Sequence, residues 1–107
     1  MDQSCTSFLQ GNLNHCAAAQ DLFLQSMVEL GVKVAVVSEP YYVAQRSHWK
    51  GDTLGLVAVI VSPMGMAITL RERGPGYVMV DWGPCTVVGT YFSLTSRFGI
   101  SKALLET

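Results

Sequence analysis

The sequence predicts a mixed α/β domain in which a β-α-β unit is followed by an antiparallel meander and a C-terminal helix. Residues 16–30 carry apolar side chains at helical spacing, and strand-like segments flank them at 7–13 and 32–38. Further short strand-like segments, separated by turns that contain glycine and proline, follow between residues 56 and 92. Half of the 107 residues are hydrophobic and only 14% are charged, so the chain is expected to fold around a substantial core.

The β-α-β unit is read from three consecutive patterns. SFLQGNL (7–13) alternates loosely like a strand, and Asn14 is placed to cap the helix that follows. The helix is expected to end at Gly31, which suits a left-handed C-terminal cap. VKVAVVS (32–38) is β-branched and almost continuously apolar, which is typical of a strand covered on both faces. Because a helix joins the two strands, we expect them to be parallel.

The rest of the chain is expected to be mainly antiparallel. Residues 39–53 are polar and aromatic, and Pro40 disfavours helix at Glu39, so we expect an ordered loop there. Four strand-like segments follow, and the breaks PMG, GPG and GP between them are hairpin signals that predict a meander. These segments are residues 56–62, 67–73, 77–82 and 85–92. Residues 95–107 are expected to form a helix, although Gly99 weakens it.

Charge, cysteine content and hydropathy limit the class of protein. Seven Lys+Arg against eight Asp+Glu give a net charge of -1, which neither supports nor excludes a nucleic-acid partner. No apolar run approaches the roughly 20 residues that span a bilayer. The N-terminus lacks a signal-peptide core, so we expect an intracellular protein without a membrane partner, for which the nucleus is one compartment. Three cysteines without a C-x-x-C pair predict reduced thiols.

Glu39 is the first candidate functional residue because it directly follows a predicted buried strand. In α/β proteins, residues at the carboxyl end of a strand face the crevice where ligands bind. A carboxylate held there by a following proline suits a hard cation such as magnesium. The alternative is a turn residue in water.

Asn12 and Tyr91 stand at the ends of two other predicted strands. Parallel neighbours would bring Asn12 to the same sheet edge as Glu39, where an amide can orient a carboxylate or contact a phosphate oxygen. Its alternative role is helix capping, for which Asn14 competes. The Tyr91 phenol can hydrogen-bond a phosphate oxygen or simply pack.

Other chemistry-bearing patterns are weaker. His15 and His48 are expected to be solvated or packing residues, and ERGPGY (72–77) lacks the spacing of a phosphate-binding loop. Trp49 and Trp82 could stack on bases, but packing is the preferred interpretation. The sequence contains no nucleophile elbow and no zinc motif.

The segment LQGNLNHCAAAQDLFLQSMVELGVKVAVVSEPY resembles the opening of the endonuclease domain of non-LTR retrotransposons. That domain belongs to the endonuclease/exonuclease/phosphatase superfamily, together with apurinic-site endonucleases and pancreatic-type DNase. The motifs Q-x-N-L-N, S-E-P-Y, W-x-G-D and Y-F-S occur in the order of that domain, and the resemblance covers residues 8–94.

The resemblance implies a four-layered α/β sandwich and hydrolysis of DNA phosphodiester bonds with magnesium or manganese. Glu39 would be the metal-binding glutamate, and Asn12 the active-site asparagine of the first strand. Tyr91 would contact the scissile phosphate. In a retrotransposon, the cut strand primes a reverse transcriptase encoded further along the same polyprotein.

The chain departs from the family after Y-F-S, where Leu94 and Thr95 replace Pro-Asn. It contains neither the Gly-Asp-x-Asn strand nor the Ser-Asp-His motif that supply the general base and its histidine partner. We therefore expect a single truncated domain, residues 1–107, with half of the metal site and little or no nuclease activity. The alternatives are a non-catalytic α/β binding or assembly module, self-associating through an uncovered sheet face, and a longer, active natural polypeptide.

Overall fold

One helix and eight strands form the computed structural model, which describes residues 8–93 and 99–106. The elements are β1 (Phe8–Asn12), α1 (Ala17–Leu30), β2 (Val34–Ser38), β3 (Trp49–Gly51), β4 (Val57–Val61), β5 (Ile68–Gly74), β6 (Tyr77–Trp82), β7 (Cys85–Ser93) and β8 (Gly99–Glu106). The predicted mixed α/β class is confirmed, with strands predominating. In the described parts of the chain, no helix has the length and apolar character needed to cross a bilayer.

The predicted β-α-β unit is confirmed. β1 and β2 are parallel, with Phe8 opposite Val34 and Asn12 opposite Ser38. The helix ends at Gly31, whose φ of 65° is the left-handed conformation expected of its cap.

The predicted helix cap at Asn14 is wrong. The N-cap is Cys16, whose side chain makes no capping hydrogen bond. Asn14 itself has a φ of 51°, and its backbone N–H donates to Asn12 Oδ1 at 2.8 Å. The Asn12 side chain therefore closes a turn of its own and delays the start of the helix.

Two predictions about the middle of the chain need correction. The first sheet has the order β1-β2-β4-β3, so β4 belongs with the β-α-β unit rather than with the meander. β3 lies inside the segment 39–53 that was expected to be a loop. Every residue of β4 is buried, and its backbone groups are paired by β2 on one side and β3 on the other. Three residues are too few for β3 to show a sequence period.

The predicted C-terminal helix is wrong where the structure describes it. Residues Gly99–Glu106 form strand β8, antiparallel to β7, with Ser93 opposite Gly99 and Thr86 opposite Glu106. Pairing with the open edge of β7 satisfies backbone groups that would otherwise lack partners, and this outweighs a weak helix propensity. Residues 95–98 and 107 of that prediction lie outside the described part of the chain.

The two sheets pack face to face, and α1 covers the other side of the first sheet. Alternate residues of β2 and β4 meet the second sheet, whose order is β5-β6-β7-β8. This inner core contains Val34, Val36, Val57, Val59, Val61, Ile68, Val78, Val80, Trp82 and Val87. The intervening residues pack under α1 with Met27, Val32 and Trp49, so both faces of β2 are buried as its composition predicted.

Candidate functional site

The ends of β1 and β2 place Asn12 and Glu39 at one edge of the first sheet. Asn12 is opposite Ser38, so Glu39 follows the last residue of the ladder. Beyond the strands, the Leu13 N–H donates to Ser38 O at 2.9 Å and the His15 N–H donates to Glu39 O at 2.8 Å. Asn12 and Glu39 therefore lie at the same edge of the first sheet, as predicted.

Tyr91 joins this edge from the second sheet. Its hydroxyl donates a hydrogen bond to Glu39 Oε2 at 2.5 Å, in a partly buried setting. A hydrogen bond from a phenol to a carboxylate is charge-assisted and is therefore short and strong. The contact brings together two of the three residues that the strand ends predicted.

The backbone of Glu39 has a φ of 49°, which is unusual for a residue with a side chain. Among the described non-glycine residues, only Asn14, His15 and Glu39 have positive φ, and all three lie at this edge. Glu39 is fixed from both sides, since its N–H donates to Leu56 O at 2.8 Å and its carbonyl accepts from His15. Such conformations persist where the surroundings impose them, and they concentrate at functional sites.

Asp52 supports the edge in a way that the sequence did not reveal. The residue is 8% exposed. Its Oδ1 accepts from the Leu56 N–H at 2.7 Å and the Val57 N–H at 3.2 Å, and its Oδ2 accepts from the Gly76 N–H at 2.7 Å. Asp52 therefore ties the turn between β3 and β4 to the turn between β5 and β6. A Gly-Asp pair before an apolar strand signals a local turn, but nothing in it points to Gly76.

The two turns that Asp52 joins also hold the Glu39–Tyr91 pair. The carbonyl of Leu56 accepts from the Glu39 N–H, and the carbonyl of Gly76 accepts from the Tyr91 N–H at 2.8 Å. The Asp52 carboxylate therefore holds in place both turns whose carbonyl groups bind the backbones of Glu39 and Tyr91.

Asn12 and Ser38 complete the edge. The Asn12 side chain is committed through Oδ1 to the Asn14 N–H, while the residue itself is exposed. The Ser38 hydroxyl is fully buried and, among the described residues, has no hydrogen-bond partner. Ser38 continues the side of β2 that carries Val34 and Val36, so it lies between the two sheets.

Glu39 supplies the carboxylate at this edge that could hold a hard cation. Within the described ranges, no three His, Cys, Asp or Glu side chains come together. Magnesium commonly takes one or two carboxylates and completes its shell with water and phosphate oxygens. Glu39 uses Oε2 for Tyr91, and a carboxylate has further acceptor positions for such an ion.

The remaining candidates from the sequence are the two tryptophans, residues 72–77 and His15. Trp49 and Trp82 are 7% and 6% exposed and belong to the two cores, as the packing interpretation predicted. Residues 72–77 form the hairpin between β5 and β6. His15 Nδ1 lies 3.1 Å from Pro40 O, beside Glu39.

Comparisons of the chain with protein-family models, with curated proteins and with solved structures found no match.

Proposed function

We propose that the edge formed by Asn12, Glu39 and Tyr91 binds a divalent cation, magnesium or manganese, together with a phosphate group of DNA. The Glu39–Tyr91 hydrogen bond of 2.5 Å carries the proposal, because it joins a hard anionic ligand to a phenol donor. The positive φ of Glu39 supports it. The same residues carry the resemblance to the endonuclease domain of non-LTR retrotransposons.

Each residue has a distinct part in this proposal. Glu39 supplies the carboxylate oxygen that holds the cation. When the phosphate binds, the Tyr91 hydroxyl donates its hydrogen bond to a phosphate oxygen instead of to Glu39 Oε2. Asn12 presents its amide on the neighbouring strand. When bound, the cation would polarise the phosphate and stabilise developing negative charge on its oxygens.

The 107-residue chain is proposed to bind without efficient cleavage. The sequence lacks the Gly-Asp-x-Asn and Ser-Asp-His motifs of the family. Asp52 does not replace them, since its oxygens accept three backbone N–H groups. By the same proposal, the arrangement of helix, sheet and sheet corresponds to part of a four-layered sandwich, with a further layer placed on the outer face of the second sheet.

Manganese binding tests the metal assignment. We expect the chain to bind manganese, detected by electron paramagnetic resonance, with magnesium competing. Glu39→Gln should weaken this binding by about tenfold or more, because it removes the anionic ligand. Asp21→Asn, which changes an exposed acid on α1, is the matched control and should leave binding unchanged. Equal affinity of the chain and its Glu39→Gln form would overturn the assignment.

Plasmid nicking tests the absence of efficient cleavage. With magnesium present, we expect little or no conversion of supercoiled plasmid by either the unmodified chain or Glu39→Ala. Nicking by the unmodified chain that disappears in Glu39→Ala would contradict this part of the proposal and show an active enzyme.

The second candidate function is a non-catalytic binding or assembly module. The inner apolar face of the meander packs on the first sheet, so self-association would use the outer face of the second sheet. That face carries half-buried Tyr77, Met79 and Val88, and no described residue forms a layer over it. It is also partly polar: Tyr77 donates to Glu72 at 2.6 Å, and this hydrogen bond raises the pKa of Tyr77.

Measurement of mass in solution separates this candidate from the first. A module that assembles through the outer face should sediment as a dimer or larger species, and Met79→Glu should convert it to a monomer by placing a charge in the contact. A monomer at all concentrations tested would exclude self-association.

A further inference from the structure

A cleft of about 430 Å³ lies beside the outer edges of β3 and β5, and its lining does not include Asn12, Glu39 or Tyr91. β3 is the last strand of the first sheet, and β5 is the edge strand of the second sheet on the same side of the molecule. The segment 43–47, which precedes β3, forms one wall, and Leu70 and Arg73 of β5 form the other. The cleft is therefore framed by ordered elements of both sheets.

The lining of this cleft is cationic. Arg46, Lys50 and Arg73 line it, which is three of the seven Lys and Arg residues in the chain. Over the described ranges, none of the three forms a salt bridge with an acidic side chain. Arg73 Nη1 donates to Gly51 O at 3.3 Å, which holds its guanidinium at the cleft.

Asp52 is the acidic residue in the lining, and it does little to neutralise these cations. Its two carboxylate oxygens already accept hydrogen bonds from three backbone N–H groups. Three cations and one carboxylate leave a formal charge of +2 in the cleft, on a chain whose net charge is -1. A concentration of positive charge within a concave surface raises the local concentration of anions.

We propose that this cleft binds a phosphate group without a divalent metal. Arginine presents paired N–H donors that match phosphate oxygens, and lysine adds a compact positive charge. The Ser47 hydroxyl and the Gln45 amide, both on exposed residues of the lining, add neutral donors. The site goes beyond the proposed function, since it uses none of Asn12, Glu39 and Tyr91 and requires no cation.

Binding in the presence of a chelator tests the proposal. Inorganic phosphate and a single-stranded oligonucleotide are each titrated into the uniformly labelled chain with EDTA, and the backbone amide resonances of residues 45–51 are followed. We expect saturable shifts in those resonances with at least one of the two probes. The double variant Arg46→Gln with Lys50→Gln should weaken that binding by about tenfold or more, because two charge-assisted contacts are lost.

Two control variants separate this site from others. Lys33→Gln removes an exposed positive charge away from the cleft and should leave phosphate binding unchanged. Glu39→Gln should also leave it unchanged, so the cleft and the proposed metal site can fail independently. The amide spectra report whether each variant is folded.

Each outcome is decisive. Tighter binding of the oligonucleotide than of phosphate identifies a polynucleotide backbone as the source of the phosphate group. Equal or weaker oligonucleotide binding identifies a small phosphate-bearing ligand. An absence of shifts at residues 45–51 with both probes, or equal affinity of the double variant, would overturn the proposal.

Discussion

Glu39 holds its side chain on a backbone that would suit glycine better. An L-residue in the left-handed region is less stable than glycine by about 1–2 kcal/mol. The φ of 49° is imposed by hydrogen bonds on both sides of the residue, to Leu56 and from His15. The chain therefore carries a carboxylate at a position where the backbone alone disfavours any side chain.

Replacing Glu39 by glycine and by alanine should reveal this strain. Both variants remove the hydrogen bond from Tyr91, but only glycine relieves the positive φ. We expect Glu39→Gly to be more stable than Glu39→Ala by about 1 kcal/mol in urea unfolding.

Asp21 provides the matched comparison, because it is exposed on α1. In a helix the order reverses, and Asp21→Gly should be less stable than Asp21→Ala by about 1 kcal/mol. If Glu39→Ala proved as stable as Glu39→Gly, the backbone strain at this position would be absent.

The sequence predicted that the candidate site residues lie at strand ends, but it did not predict the contacts between their side chains. The parallel pairing of β1 and β2 sufficed to predict that Asn12 and Glu39 share an edge. The hydrogen bond between Tyr91 and Glu39 joins residues 52 positions apart and depends on how the two sheets stack, which periodicity does not describe. The support from Asp52 depends on the same stacking.

At the scale of elements, the sequence predicted structure where the signal was local. α1 and β2 were predicted because helical spacing, a glycine cap and an apolar β-branched run each lie within a few residues. β8 lies within the segment 95–107 that was predicted as a helix, and its pairing with β7 is a property of the fold that the local sequence does not show. The sheet membership of β4 was missed for the same reason: a hairpin signal does not identify the partner of a strand.

Asp52 links elements of the two sheets, and its substitution should affect both stability and site geometry. Asp52→Asn replaces an acceptor oxygen by an N–H₂ group that faces a backbone donor. We expect a loss of about 1–3 kcal/mol in urea unfolding, because a buried backbone N–H loses its partner. Hydrogen exchange of the Gly76 or Leu56 amide should become faster.

Asp81→Asn is the control for this substitution. Asp81 is in an exposed ion pair with Arg71 at 3.1 Å, and such pairs contribute about 0–1 kcal/mol. Equal destabilisation by the two substitutions would mean that Asp52 acts as an ordinary surface acid.

At the scale of the molecule, stability depends on the valine-rich layer between the sheets. Gly89 of β7 lies in this layer, and a Cβ there would be 3.2 Å from Val36 Cγ1 and 3.3 Å from Val57 Cγ2. The absence of a side chain at Gly89 lets the sheets approach closely.

Gly89→Ala should therefore force the sheets apart or displace these valines. We expect destabilisation of about 1–3 kcal/mol, measured by urea unfolding, because the added methyl group overpacks a buried layer. Gly65→Ala serves as the control, since its Cβ would approach no closer than 3.7 Å to Ser62 O. A neutral Gly89→Ala variant would show that the layer is loosely packed.

The chain completes one sheet before it begins the other. Every described strand of the first sheet lies within residues 8–61, and every described strand of the second follows residue 67. The connecting segment includes exposed Pro63, Met64, Gly65 and Met66. It forms no strand pairing, and its length sets the effective concentration at which one sheet meets the other. Lengthening this segment would reduce that concentration only slowly, so its exposed residues are a place where a foreign peptide could be inserted with little disturbance.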